Sequence, residues 1–188
     1  EGKDVPHVVI EVNQKCNISC TACYKDKYNY TKPFEEICKE IDYAASKRNL
    51  SMVTLAGGEP SLHPELVKVI NYVRSKGIGI RMLSNGYALN EKNLGEYKNA
   101  GLSEVFLHID SLQKRGDVHG LKSEKELNGL RTKISRLVVN SGLICSAVIT
   151  LYQKSLEELP EVVDFVFKNK DITRLLVTCC TDFDAIVQ

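Results

Sequence analysis

A regular alternation of short apolar runs with longer amphipathic segments constrains the fold of this chain most strongly. Six runs have the composition of buried strands, at residues 8–12, 52–56, 78–83, 104–109, 143–149 and 174–178. In the segments between them, apolar residues recur at helical spacing, as at Leu66, Val69, Ile70 and Val73. Strict alternation of strands and helices predicts right-handed crossovers and therefore a parallel sheet.

Glycines mark the ends of three predicted helices. Gly77, Gly101 and Gly142 each follow an amphipathic segment and precede an apolar run, and glycine ends helices readily because it adopts positive φ without a Cβ clash. Six strand–helix units are fewer than the eight of a closed barrel, which takes about 250 residues. The pattern therefore predicts one α/β domain over residues 1–188, built as an open partial barrel or as a doubly wound sheet.

Charge and hydropathy exclude several classes of protein. The net charge is +1, so no basic surface points to nucleic acid. The longest apolar stretch, 143–152, is too short to span a bilayer, and the first residues lack the pattern of a signal peptide. Without an export signal, the seven cysteines are expected in a reducing compartment, the cytoplasm, where close spacing favours metal binding over disulfides.

Three of those cysteines, Cys16, Cys20 and Cys23, follow directly after the first predicted strand. A loop this tight brings three thiolates close together, while the nearest fourth, Cys38, falls within the following amphipathic segment. Iron–sulfur cubanes are normally held by four cysteines, so three would leave one iron open to a chelating ligand. A zinc site completed by His7 or His63 is the alternative, since three sulfurs and one nitrogen suit tetrahedral zinc.

The spacing Cys-x3-Cys-x2-Cys followed by the aromatic Tyr24 resembles the signature of the radical S-adenosylmethionine superfamily. The resemblance implies a [4Fe–4S] cluster on Cys16, Cys20 and Cys23, with the open iron chelated by S-adenosylmethionine. It also implies reductive cleavage of that cofactor to a 5′-deoxyadenosyl radical, which abstracts hydrogen from a substrate. By the same resemblance, Tyr24 places its backbone near the adenine.

Two turns after the next predicted strands support this resemblance. Gly57-Gly58-Glu59-Pro60 resembles the family's GGEP motif, which implies that Gly57, Gly58 and Glu59 contact the methionine amine. Ser84-Asn85-Gly86 resembles the family's hydroxyl-Asn-Gly tip, which implies that Ser84 lies near the cofactor. Each tetrapeptide or tripeptide alone is also an ordinary turn.

The fourth predicted strand carries Phe106, His108 and Asp110 on one face by period-two alternation. Many relatives have serine near the cofactor ribose where this chain has His108, so we predict that His108 and Asp110 contact the cofactor. His108 is also a candidate catalytic proton donor or substrate contact, since imidazole titrates near neutrality; the alternative is a strand histidine satisfied by a neighbour. On the fifth strand, Ser146, Val148 and Thr150 share one face and are expected to line the adenosine pocket; a simple core face is the alternative.

The segment 112–122 contains two glycines and several charged residues. It is predicted to be a mobile loop over the strand ends. Within it, Arg115 is a candidate for binding a carboxylate or phosphate, although a solvated charge cluster is the alternative.

The resemblance extends over nearly the whole chain and is closest to GGEP-bearing members with a six-strand partial barrel, such as the molybdenum-cofactor cyclase and peptide-modifying branches. It implies a TIM-like (β/α)6 core acting on a small-molecule, lipid or peptide substrate, with electrons from a flavodoxin- or ferredoxin-type donor. Those relatives usually add a carboxyl-terminal extension that this chain is expected to lack. The alternatives are a glycyl-radical activating enzyme acting on a partner protein and a non-catalytic metal-binding domain.

Overall fold

The computed structural model describes residues 5–21, 23, 25, 29–120, 123–151 and 153–179. Its strands are β1 (His7–Asn13), β2 (Ser19–Cys20), β3 (Met52–Gly57), β4 (Gly79–Ser84), β5 (Glu104–His108), β6 (Gln113–Lys114), β7 (Ile144–Leu151) and β8 (Leu175–Cys179). Its α-helices are α1 (Phe34–Lys47), α2 (Leu66–Ser75), α3 (Glu91–Ala100), α4 (Asn128–Asn140) and α5 (Leu159–Lys168). Short 3-10 helices span Pro60–Leu62 and Gln153–Glu158.

The six long strands form one parallel sheet in the order β1–β3–β4–β5–β7–β8, as the alternation predicts. Every new strand joins on the same side of the previous one. A doubly wound sheet would instead reverse its strand order part of the way along the chain. Right-handed crossovers that never reverse place the helices on one face, so the architecture is the open (β/α)6 partial barrel.

The core lies between the helices and the outer face of the sheet. Helix α2 buries Leu66, Val69, Ile70 and Val73, the stripe predicted from their spacing. The glycines at the three predicted helix ends all have positive φ, 73° at Gly77, 123° at Gly101 and 77° at Gly142. Local patterns therefore predict both the buried helix faces and the points where the chain turns back to the sheet.

The inner, concave face of the sheet is more polar than the outer face. His108 contacts Thr150, Ser146 donates to Glu104, and Arg81 lies over the ring of Phe106. These residues alternate with the apolar ones that pack under the helices. The polar face ends at the carboxyl edge of the strands, where the sequence motifs lie.

Membrane insertion through a helix finds no support in this fold. Across the described ranges, none of the helices combines the length and apolar character that crossing a bilayer requires.

Candidate active site

The four sequence motifs meet at one edge of the sheet. The cysteine loop follows β1, the 57–60 turn ends β3, the 84–86 turn ends β4, and Asp110 follows β5. Because all these strands are parallel, their carboxyl ends share an edge, and ligands bind at that edge in barrels of this kind.

The entry to the cysteine loop is bonded to the turn after β3. Gly58 N donates to Asn13 O at 3.0 Å, Glu59 N donates to Lys15 O at 2.8 Å, and Asn13 Nδ2 donates to Glu59 O at 3.0 Å. A Cβ added to Gly58 would lie 2.2 Å from Lys15 O. The absence of a side chain at Gly58 therefore admits the backbone of the cysteine loop.

The carboxylate of Glu59 joins the ends of β3 and β4. It is fully buried and accepts hydrogen bonds from Ser61 N and Oγ at 3.1 and 2.6 Å, Ser84 Oγ at 2.9 Å and Asn85 N at 2.8 Å. Burial raises the pKa of Glu59, and these hydrogen bonds oppose that rise because they favour the charged form. Ser84 Oγ in turn accepts from Gly86 N at 3.0 Å, so both side chains are engaged within the protein.

Asn85 connects the end of β4 to the cysteine loop. Its Nδ2 donates to Asn17 Oδ1 at 2.8 Å and to Cys16 Sγ at 3.7 Å. Its Oδ1 accepts from Tyr87 N at 2.9 Å. Sequence reasoning interpreted Asn85 only as part of an Asn-Gly turn, and no local pattern reveals its contact with Cys16.

The far side of the cysteine loop pairs with the chain after β5. Strands β2 and β6 are antiparallel, with Cys20 opposite Gln113, and Thr21 N donates to Leu112 O at 3.0 Å. The segment 112–122, predicted to be a loop, therefore contains a short strand that pairs with the cysteine loop. Leu121 and Lys122 lie outside the described residues.

Arg115 is buried rather than part of a solvated charge cluster, and the carboxylate that it binds belongs to Asp117. It is 6% exposed, and its Nε and Nη2 each donate to the Asp117 carboxylate at 2.9 Å. Its Nη1 donates to Asn85 O at 2.7 Å and to Gln113 Oε1 at 3.0 Å. All its nitrogens are thus engaged inside the protein, and the Arg-x-Asp spacing is the one local signal of this pairing.

The three loop cysteines lie within electrostatic range of one another. Burial raises the pKa of Cys20 to about 12, the charges of Asp110, Cys23 and Cys16 add to the rise, and Arg115 opposes it. In the described part of the chain, no three His, Cys, Asp or Glu side chains stand close enough to chelate a single ion. In a cubane each thiolate binds a different iron, so three sulfurs need only border a shared volume. This donor set fits such a cluster.

Two buried acceptors lie just before the cysteines. Asn13 Oδ1 and Gln14 Oε1 have no hydrogen-bond partner within the described structure, and leaving such groups unpaired is costly. Of the two, Asn13 is bonded to the 57–60 turn through its Nδ2, so an N–H group of a ligand beside that turn would be the partner for its Oδ1. Tyr24, the predicted adenine contact, lies outside the described residues.

The histidines named for a zinc site do not reach the cysteines. His7 lies at the amino end of β1, with Nε2 2.7 Å from Thr54 Oγ1, whereas Cys16 follows the carboxyl end of that strand. His63 is 4% exposed; its Nε2 is 2.9 Å from Lys32 O, and its Nδ1 accepts from Glu65 N at 3.1 Å. Both nitrogens of His63 are occupied, as expected of a structural residue.

His108 and Asp110 form a pair at the end of β5. His108 Nε2 lies 2.7 Å from Asp110 Oδ2 and 3.3 Å from Thr150 Oγ1, while Asp110 Oδ1 accepts from Leu112 N at 3.0 Å. The two side chains lie on one face of the strand, as alternation predicts. His108 Nε2 has its partners in Asp110 and Thr150. Val148 is buried opposite His108 in the register of β5 and β7. This pair can orient an imidazole toward the concave face.

Comparison with protein families agrees with this arrangement. A model described as the Radical SAM superfamily matches residues 10–166. The chain is 32% identical over 136 residues to GTP 3′,8-cyclase of Vibrio vulnificus, covering 68% of this chain and 40% of that protein. It is 26% identical over 172 residues to Fe-coproporphyrin III synthase of Methanosarcina barkeri, covering 88% of this chain and 42% of that protein. The chain thus spans about two fifths of these relatives.

Solved structures have the same fold. The crystal structure of Streptococcus suis SuiB bound to S-adenosylmethionine superposes with a TM-score of 0.70 at 18% identity, covering 95% of this chain and 42% of that one. SuiB bound to its precursor peptide SuiA superposes with a TM-score of 0.71, also at 18% identity, covering 93% of this chain and 39% of that one. At this identity the likeness establishes the partial barrel alone.

Proposed function

Because this chain belongs to the radical SAM superfamily, we propose that it is the core domain of an enzyme that reductively cleaves S-adenosylmethionine. The family's cofactors are that molecule and a [4Fe–4S] cluster. When bound, the cluster supplies the electron that converts S-adenosylmethionine to methionine and a 5′-deoxyadenosyl radical. The proposal places both cofactors at the carboxyl edge of the sheet and treats residues 1–188 as one core domain.

In this proposal Cys16, Cys20 and Cys23 hold the cluster. One observation carries it: the turns after β3 and β4 and the segment after β5 are all bonded directly to the short loop that contains these cysteines. Contacts to three successive strand ends limit how far the sulfurs can separate. A loop restrained in this way lowers the entropic cost of ordering the ligands around a cluster.

The S-adenosylmethionine site lies around the same loop. We assign the methionine end to the turn of Gly57, Gly58 and Glu59, where the unpaired Oδ1 of Asn13 suits an ammonium group and the Nδ2 of the same residue is bonded to Glu59 O. The Glu59 carboxylate already accepts four hydrogen bonds, so its part is to hold the turn in place.

Further contacts with the cofactor extend along the strand ends. Ser84 positions the β4 end through Glu59, while His108, Asp110 and Val148 line the concave face beyond the cysteines. Tyr24 is retained as the adenine contact on resemblance alone. The Asp110 carboxylate holds His108 Nε2, so the ring can present its Nδ1 to a ribose or to substrate as a hydrogen-bonding or proton-transfer group.

The substrate is a small molecule, lipid or peptide from which the radical abstracts hydrogen. The relatives named above include a GTP cyclase and a protein solved with a precursor peptide, so both substrate classes occur among similar proteins. A flavodoxin- or ferredoxin-type protein supplies the electron, and the reducing cytoplasm is the proposed location because the site needs free thiols.

Anaerobic reconstitution with iron and sulfide tests the proposal. We expect about four irons per chain, and release of 5′-deoxyadenosine after dithionite and S-adenosylmethionine are added. Cys20→Ala should lose the cluster and the nucleoside. Cys38→Ala is the matched control, because Cys38 lies in helix α1 and should leave both unchanged. One zinc with no iron, or equal nucleoside release from Cys20→Ala and wild type, would contradict the proposal.

A further inference from the structure

We propose that Asn85 and Arg115 raise the reduction potential of the cluster by directing an N–H donor at the sulfur of Cys16. The inference rests on the proposed function, because it requires a cluster on the three cysteines. It assigns Asn85 as the donor and Arg115 as a positioning residue that acts through Asn85. We call these two residues the Asn85–Arg115 arm.

The geometry of the arm is set by hydrogen bonds on every side of Asn85. Nδ2 lies 3.7 Å from Cys16 Sγ, a separation suited to the large sulfur atom. The side-chain amide cannot be reversed without loss, because Oδ1 accepts from Tyr87 N at 2.9 Å and Nδ2 donates to Asn17 Oδ1 at 2.8 Å. Asn85 is 7% exposed, so little water competes for its amide.

Arg115 holds the backbone of Asn85 in place. Its Nη1 donates to Asn85 O at 2.7 Å, while the Asp117 carboxylate binds the other side of the guanidinium. The neighbouring residues of β6 pair with Cys20, so the arm and the metal-binding loop are parts of one bonded unit. Asn85 N also donates a hydrogen bond to Glu59 Oε2.

A hydrogen-bond donor directed at a sulfur that binds the cluster shifts the equilibrium between the oxidised and reduced cluster. Reduction adds an electron to the cluster, and part of the added negative charge spreads onto the thiolates. An N–H group stabilises the more negative state more strongly, and the effect is larger where water is excluded. Hydrogen bonds to the sulfurs are among the factors that set cluster potentials.

Redox titration of the reconstituted full chain, followed by electron paramagnetic resonance without S-adenosylmethionine, tests the inference. In Asn85→Ala we expect the ratio of reduced to oxidised cluster at the wild-type midpoint to fall roughly threefold, equivalent to about 30 mV for one electron. Asn85→Asp keeps the acceptor for Tyr87 N and should shift the midpoint in the same direction. Asn99→Ala is the control, because Asn99 is exposed on α3.

Arg115→Lys should lower the midpoint by less, because it keeps the positive charge that also acts on Cys20 and removes only the guanidinium contacts that support Asn85. Its control is Arg136→Lys, at an exposed ion pair with Asp171. Wild-type midpoints in Asn85→Asp and Arg115→Lys, measured on protein with full iron content, would overturn the inference even if Asn85→Ala does not fold. Failure of the wild-type chain to assemble any cluster would instead refute the proposed function, so the two failures are distinguishable.

Discussion

Substitution of Gly58 by alanine tests how the cysteine loop is held against the turn after β3. The new Cβ would lie 2.2 Å from Lys15 O and 2.6 Å from both Gln14 O and Lys15 C. All three atoms belong to backbone, so no side chain can rotate out of the way. Ordinary contact begins at 3.4 Å, and the loop would have to retreat by the difference, about 1.2 Å.

This displacement weakens hydrogen bonds and also creates steric strain. Overpacking of a close-packed site costs about 1–3 kcal/mol. The hydrogen bonds from Gly58 N to Asn13 O and from Glu59 N to Lys15 O would stretch, each worth about 1 kcal/mol. We expect a net loss of about 2–3 kcal/mol, which corresponds to a fall in Tm of roughly 4–12 °C for a chain of this size.

Thermal unfolding followed by circular dichroism measures the stability, and anaerobic reconstitution measures the iron bound per folded chain. We expect Gly58→Ala to lose iron as well as stability, because the displaced segment leads directly into Cys16. Gly95→Ala is the control, since its Cβ meets nothing within 4 Å on helix α3, and it should add up to about 1 kcal/mol. If Gly58→Ala kept wild-type Tm and iron content, the close approach of these two backbones would be refuted.

Two further predictions concern buried polar groups. The pKa of Glu59 is raised by burial, so between its unfolded and folded pKa values the folded protein retains a proton that the unfolded chain has released. Wild type should therefore lose stability relative to Glu59→Gln as the pH rises from the unfolded pKa through the folded one. Urea unfolding across that range measures the difference, and a constant value would contradict the argument. His63→Ala leaves Lys32 O and Glu65 N without their partners and should cost about 1–3 kcal/mol while folded protein binds as much iron as wild type. Loss of metal from folded His63→Ala would restore the zinc interpretation.

The architecture could be predicted from the sequence because its signals are local. Short apolar runs mark strands, apolar residues at helical spacing mark helices, and Gly77 and Gly142 mark helix ends by their need for positive φ. Strict alternation of these elements then leaves few parallel topologies. An open partial barrel and a doubly wound sheet both remained possible. The order of the strands in the sheet decided between them, and only the tertiary structure contains that information.

The cysteine loop could be singled out as a candidate metal site because its three cysteines lie within eight consecutive residues. The contacts that hold this loop in place could not be predicted from the sequence. Asn85 reaches Cys16 across 69 positions in the chain, and Thr21 bonds to Leu112 across 91. No spacing rule connects residues so far apart, and their meeting depends on which strand ends share an edge.

Arg115 illustrates the same division. Its sequence neighbourhood of glycines and charges is typical of an exposed loop, yet the folded chain buries it against Asn85 O and Asp117. The sequence by itself determined which residues are chemically able to bind a cluster and where along the chain they lie. The tertiary structure decided which polar groups are left to meet a ligand, because a buried donor or acceptor takes whatever partner the packing of distant segments brings within reach.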